Sequence, residues 1–161
     1  MWDGANLFKT LQAEWDRDAD RRPARAVCAR WAEEDTALEG MSSPAEVVRG
    51  CQARGDGRRS ATLLAAVIAR AAHDRWAART ALQAVLPGLA AVSRRARPLV
   101  GPTGVWSTVE ELDQHVVAIA CERISALSGT SARAWPGWRT KNGRDVPVCT
   151  TTTMCSCSSR R

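Results

Sequence analysis

Tyrosine is absent from the 161 residues, and phenylalanine occurs once, as Phe8. Only two lysines, Lys9 and Lys141, and two histidines, His73 and His115, are present. No apolar run reaches the 18 or so residues of a membrane-spanning helix, so no membrane partner is expected. The start, "MWDGANLFKT", turns acidic by its third residue and does not read as a secretory signal, so a cytoplasmic location is expected. No serine sits in a nucleophile-elbow pattern, and no glycine-rich loop follows a strand. The histidines are far apart and have no partner constellation. No catalytic residue, cofactor or metal ligand can be named on these grounds, and an enzyme is not expected.

Alanine and arginine are plentiful instead. The ratio of 21 arginines to two lysines reflects the codon bias of a high-GC genome and is no evidence of binding. The net charge of +6 is unevenly spread. Residues 1–128 hold 17 basic and 16 acidic side chains, a net of +1, while 129–161 hold six and one, a net of +5. By this sum the folded part offers no electrostatic case for nucleic acid, and no specific nucleic-acid site is identified.

Helical periodicity runs through the first 128 residues. Leu7, Phe8, Leu11 and Trp15 form one stripe over 5–20. Pro23 suits the first turn of a second helix, with Val27, Cys28, Trp31 and Leu38 on one side and Gly40 as its stop. Ser43, Pro44 and Glu46 mark a third start in capping-box form, and "RGDGRR" (54–59) reads as a turn. Its Arg-Gly-Asp matches an integrin-recognition tripeptide by chance. The most apolar helix is expected from about 60 to 72, with Leu63, Leu64, Val67 and Ile68 inward. Asp74 caps the next, which Pro87-Gly88 should break or kink before Arg94, Arg95 and Arg97 close it. Residues 98–107 are a loop. Thr108 and Glu111 form a second capping box for a last helix with Leu112, Val116, Ile119, Ala120, Ile124 and Leu127 inward. No alternation of period two occurs over any length. The expectation is an all-α domain over 5–128, an orthogonal bundle of six or seven helices, followed by a disordered tail over 129–161.

Several remaining residues have ordinary structural readings. Trp15, Trp31 and Trp76 lie on apolar helical faces, as core or interface anchors do. Glu33, Glu34 and Asp35 read as a solvated acidic run. Cys28, Cys51 and Cys121 stand singly in helical patterns and read as free thiols packed like small apolar groups. Cys149, Cys155 and Cys157 are separated by five residues and by one, with no histidine near, which does not suit a zinc site.

Three stretches carry a resemblance: "LQAEWDRDADRRPARAVCARWA", "DRWAARTALQAVLPGLAAVSRRARPLVGPTGVWSTVEELDQHVVAIACERI" and "RISALSGTSAR". Over most of 11–133 the chain resembles an uncharacterised family of high-GC actinobacterial proteins. The middle part of that family is similar to the helical core of RNA polymerase sigma factors. The resemblance implies a transcription-related role with core RNA polymerase as partner. It places the docking contacts at Glu111, Asp113 and Gln114, polar positions expected to be exposed at the start of the last helix. Two features depart from the sigma pattern. Val117 and Ala118 stand where Gln-Glu is expected, and the aromatic residues that stabilise melted promoter DNA are missing, so promoter opening is not implied. The alternative is a helical protein–protein adaptor with no nucleic-acid role.

The family's sequence continues as a longer helical half, whereas this chain gives way near Ala134 to "WPGWRTKNGRDVPVCTTTTMCSCSSRR". A frameshift accounts for the change of composition and charge together. Shifted to begin at each third base, the codons of Met154 and Cys155 yield valine, and the following Cys/Ser/Arg run becomes largely leucine, valine and alanine. An ordinary apolar segment of a high-GC gene would have that composition. A selected cysteine-rich interaction tail is the other reading.

Overall fold

The computed structural model describes residues 7–128. The expectations for 129–161, including its three cysteines, lie outside the described residues. Six α-helices follow one another: α1 (Leu7–Asp18), α2 (Arg22–Glu34), α3 (Pro44–Gln52), α4 (Gly57–Arg70), α5 (Arg75–Ala96) and α6 (Val109–Leu127). The only β pairing among the described residues is a single bridge between Val100 and Trp106. The all-α expectation holds.

α1 buries Leu11 and Trp15, one turn apart. α2 opens with Pro23 in its first turn and buries Ala24, Cys28 and Trp31. It ends earlier than the periodicity suggested. Asp35 turns to extended backbone, and its carboxylate accepts the Ala37 N–H at 2.9 Å. A short 3-10 turn, Thr36–Leu38, follows and seats Leu38 fully in the core. An aspartate side chain that bonds local backbone competes with helix continuation. Gly40, at φ 78°, then reverses the chain in a conformation that costs glycine little.

Ser43 caps α3 by accepting the Glu46 N–H. Glu46 does not return the bond to Ser43. Its carboxylate takes the backbone N–H and hydroxyl of Ser42, at 2.8 and 2.7 Å, so the box is shifted one residue upstream. α4 starts at Gly57, inside the expected turn, because Asp56 caps it through the Arg59 N–H. α4 crosses α3 closely at Gly50, where a Cβ would lie 2.6 Å from Leu63 Cδ1.

α5 is the hub, packing against α1, α3, α4 and α6. Asp74 caps it through Trp76 and Ala77, as its sequence position implied. The helix does not break at Pro87. A proline there frees the carbonyl of Gln83, four residues back. Gln52 Nε2 donates to Gln83 O and to Ala84 O, each at 3.2 Å, so a side chain from α3 replaces the missing backbone donor. The sequence alone left the break open because that donor lies 31 residues away.

Leu63, Val67, Leu82 and Ile124 share the main core with Trp31, Leu38 and Val117. Leu64 and Ile68 are only partly buried. Two expected core residues of α6 are exposed, Ile119 at 43% and Leu127 at 73%. Ile119 stands roughly 80° from the centre of the buried stripe formed by Leu112, Val116, Ala120 and Ile124. Leu127 lies in line with that stripe but in the helix's last turn, past the buried Ile124 and Ser125.

The three cysteines of the described chain are free: Cys28 is buried, and Cys51 and Cys121 are partly buried. Burial raises the Cys28 and Cys51 thiols to about 11 and that of Cys121 to about 12. All three are therefore neutral packing groups with little thiolate character.

Candidate partner-binding site

The start of α6 is built by its cap. Thr108 Oγ1 accepts the Glu111 N–H at 3.1 Å, and Glu111 Oε2 accepts the N–H groups of Ser107 at 2.8 Å and Thr108 at 3.4 Å. The expected capping box is present. Glu111 stays exposed, with one carboxylate oxygen committed to the helix's own backbone. Gln114 is partly buried, and its Nε2 donates to Glu110 Oε1 at 3.3 Å.

Asp113 is not an exposed position. It is 1% exposed and accepts the Ser93 hydroxyl of α5 in a fully buried bond. Residue 113 lies beside Leu112, Val116 and Val117 on the face that packs toward α5. Its carboxylate led to an outward assignment, but helix geometry places it inward. The other oxygen, Oδ2, meets no donor among the described residues. The structure therefore leaves Glu111 exposed and Gln114 partly buried, and removes Asp113 from the surface. His115, next along, tilts against Trp106 with ring centroids 5.7 Å apart.

A second polar assembly, not read from sequence, joins α2 to the α4–α5 turn. Asp74 caps α5 with Oδ1 while Oδ2 accepts Trp31 Nε1–H at 2.9 Å and Arg30 Nη2 at 3.1 Å. Arg70 donates to Asp35 at 2.7 Å and lies 3.8 Å from Glu34. The Ala37 N–H, and then Arg70, hold the Asp35 carboxyl below its ordinary range. Arg79 lies over the rings of Trp15 and Trp76, at 5.9 and 5.8 Å, and 3.6 Å from Asp18. Asp18 is also lowered, chiefly by its hydrogen bond from Arg17. Of the acidic run, Glu33 and Glu34 are exposed as expected, while Asp35 turns inward. The signal for this assembly was Asp74 alone, whose cap was legible but whose second oxygen was not.

Among the described residues no group of three or more His, Cys, Asp or Glu side chains is placed to hold a metal ion. No helix among them is long and apolar enough to cross a membrane. Comparison of the chain with protein-family models, curated proteins and solved structures gives no match.

Proposed function

We propose that the helical domain is a non-catalytic docking module that engages a protein partner through its C-terminal third. The observation that carries this reading is the placement of large exposed apolar side chains. Val92, Leu99, Val105, Ile119 and Leu127 are exposed, Val105 to 81%, and none of comparable size is exposed between residues 7 and 91. Single exposed leucines or valines need no explanation; five within residues 92–127, and none earlier among the described residues, are what favour this third of the chain as the side a partner meets. The test is in-cell cross-linking with mass spectrometry on the full chain and on L99S/V105S/L127S. The substituted chain should keep its melting temperature and lose the cross-linked partner. Retention of the same partner at the same yield would count against the reading.

A second reading names the partner as core RNA polymerase, through Glu111 and Gln114. It is favoured by the polar, outward first turn of α6, where Glu110 and Glu111 are exposed. Pull-down with the full chain at low salt tests it, because charged contacts are strongest there. Glu111→Gln keeps an acceptor for the cap, so weaker capture by E111Q or Q114A would report docking. No polymerase above background leaves the adaptor reading alone. Both readings place the protein in the cytoplasm. They leave 129–161 as an out-of-frame segment, which the gene's nucleotide sequence across codons 128–161 tests directly.

A further inference from the structure

The near-zero charge of the helical domain conceals a division. Residues 7–48 carry six basic and nine acidic side chains, residues 49–109 ten and two, and residues 110–128 one and four. The net charges are −3, +8 and −3. Within the middle block Arg70 pairs with Glu34 and Asp35, and Arg79 with Asp18. Arg54, Arg58, Arg59, Arg94, Arg95 and Arg97 are all exposed, and none makes an ion pair or a side-chain hydrogen bond among the described residues.

The fold brings these six to one end of the bundle. α4 and α5 pack together across a short connection, residues 71–74, so the two helices run away from a shared turn in contact with one another. Arg70 back to Gly57 is about 20 Å of helix, which sets Gly57 level with the Pro87–Gly88 region of α5. Gln52, at the close of α3, independently fixes the α3–α4 turn beside Gln83 and Ala84. The last turn of α5 begins only about 10 Å beyond, so the two groups of three arginines are about 10–15 Å apart.

The carboxylates at this end hydrogen-bond within the fold and pair with none of the six arginines among the described residues. Asp56 caps α4, Glu111 caps α6, Asp113 is buried on Ser93, and Glu110 accepts from Gln114. No tyrosine or phenylalanine lies between residues 49 and 109, and Trp106 is turned onto His115, so no stacking platform for bases accompanies the arginines.

We infer that this end of the bundle binds the phosphate backbone of duplex nucleic acid without reading its base sequence. Guanidinium groups meet phosphate oxygens through paired N–H donors and keep their charge throughout the physiological range. Two clusters of three, with no aromatic platform beside them, are suited first to phosphate contacts. Such binding falls steeply with salt as condensed counterions are released.

Fluorescence anisotropy of the full chain with a random-sequence DNA duplex of about 20 base pairs, between about 50 and 200 mM salt, tests the inference. R54Q/R58Q/R59Q and R94Q/R95Q/R97Q should each weaken binding about tenfold or more at the lower salt, and each should flatten the salt slope by about two to three. The corresponding triple lysine substitutions keep the charge and should keep the slope, which separates lost contacts from lost folding. Residues 129–161 are themselves basic, so unchanged binding by both glutamine variants would place the contacts there and overturn the inference. Absence of binding at the lower salt would overturn it too. Poly-L-glutamate bound more tightly than the duplex would also overturn it, in favour of an acidic protein surface.

Discussion

At the end of the bundle where α2 meets the α4–α5 turn, Arg30, Asp35, Arg70 and Asp74 are tied to one another or to Trp31, and Arg75 alone of the arginines at that turn has no partner among the described residues. At the end where the α3–α4 turn approaches the close of α5, six arginines have no partner among the described residues. The first end uses charge for structure. Asp74 alone satisfies two backbone donors, a buried indole and a guanidinium. The second end leaves charge and apolar area together at the surface, with Val92 and Leu99 flanking Arg94, Arg95 and Arg97. A side chain satisfied inside the fold has little left for a partner, whereas one left unpaired loses nothing by taking one. Damage at the first end should therefore appear as lost stability, and damage at the second as lost binding.

The largest effect is expected beneath both ends. Leu63 is 1% exposed, against the Gly50 backbone of α3. Leu63→Ala should cost about 2–5 kcal/mol. Leu64→Ala, on a partly buried position, should cost about 1 kcal/mol. Urea titration of the two variants checks the order, and a larger loss at Leu64 would show that α4 turns Leu64 toward the core in place of Leu63.

Asp74→Ala comes next, at about 2–4 kcal/mol, because a lost cap of about 1 kcal/mol adds to the unsatisfied indole of Trp31. The measurement that sharpens this is a double cycle with Trp31→Phe, which has no N–H to strand. Much of the loss should vanish in that background. If the two changes simply add, the indole bond contributes nothing and the tied end is held by capping alone.

A smaller loss, about 1 kcal/mol, is expected for Gln52→Ala. It should shrink toward zero beside Pro87→Ala, which restores the backbone donor to Gln83 O. Thermal melts of the two single variants and the double variant decide it. An undiminished loss in the double variant would mean that Gln52 serves packing and not the proline.

How much of this was legible follows from where each cause sits. The caps at Ser43, Asp74 and Thr108 were readable because donor and acceptor lie within three residues. The Leu63–Val67 and Leu112–Val116 stripes were readable because burial repeats with the helix. The Gln52–Gln83, Trp31–Asp74 and Ser93–Asp113 bonds span 20 to 43 residues and no local pattern announces them. That is why α5 read as broken or kinked and why Asp113 read as exposed. The division of charge was present in the sequence but disappeared when summed over 128 residues, since only the helix packing shows which arginines are neutralised. For the candidate site, Glu111 is exposed and Gln114 partly buried, and the buried position of Asp113 could come only from α5.

Acid should act at the tied end, and at the start of α3, where the Ser42 donors hold the Glu46 carboxyl below its ordinary range. Asp35 and Asp18 are held below their ordinary value of 3.8 in the fold. A carboxyl depressed by folding contributes stability that is fully present above its unfolded value and lost as pH falls through the folded one. Stability should therefore decline from about pH 4 downward, and less steeply in D35N, as read by urea midpoints at successive pH values. Equal slopes for D35N and the native chain would show that the Arg70 contact is not maintained in solution.

The smallest expected effect is the one that decides the comparison. Replacing Arg94, Arg95 and Arg97 by glutamine removes three charges that pair with no carboxylate among the described residues. Surface changes of this kind fall within about 0.5 kcal/mol of zero. One term works against that. Positive charge in the last turn of α5 interacts favourably with the helix's C-terminal dipole, by about 0.3–1 kcal/mol at low salt. That term is screened, whereas a partly buried contact to a neighbouring helix is screened much less. Urea titrations at low and at high salt separate the two. The expected result is a small loss at low salt that disappears at high salt. A loss above about 1 kcal/mol that persists at high salt would mean that these arginines hold α5 in place as Arg70 and Arg79 do, and the unpaired end would then belong to the architecture and not to a partner.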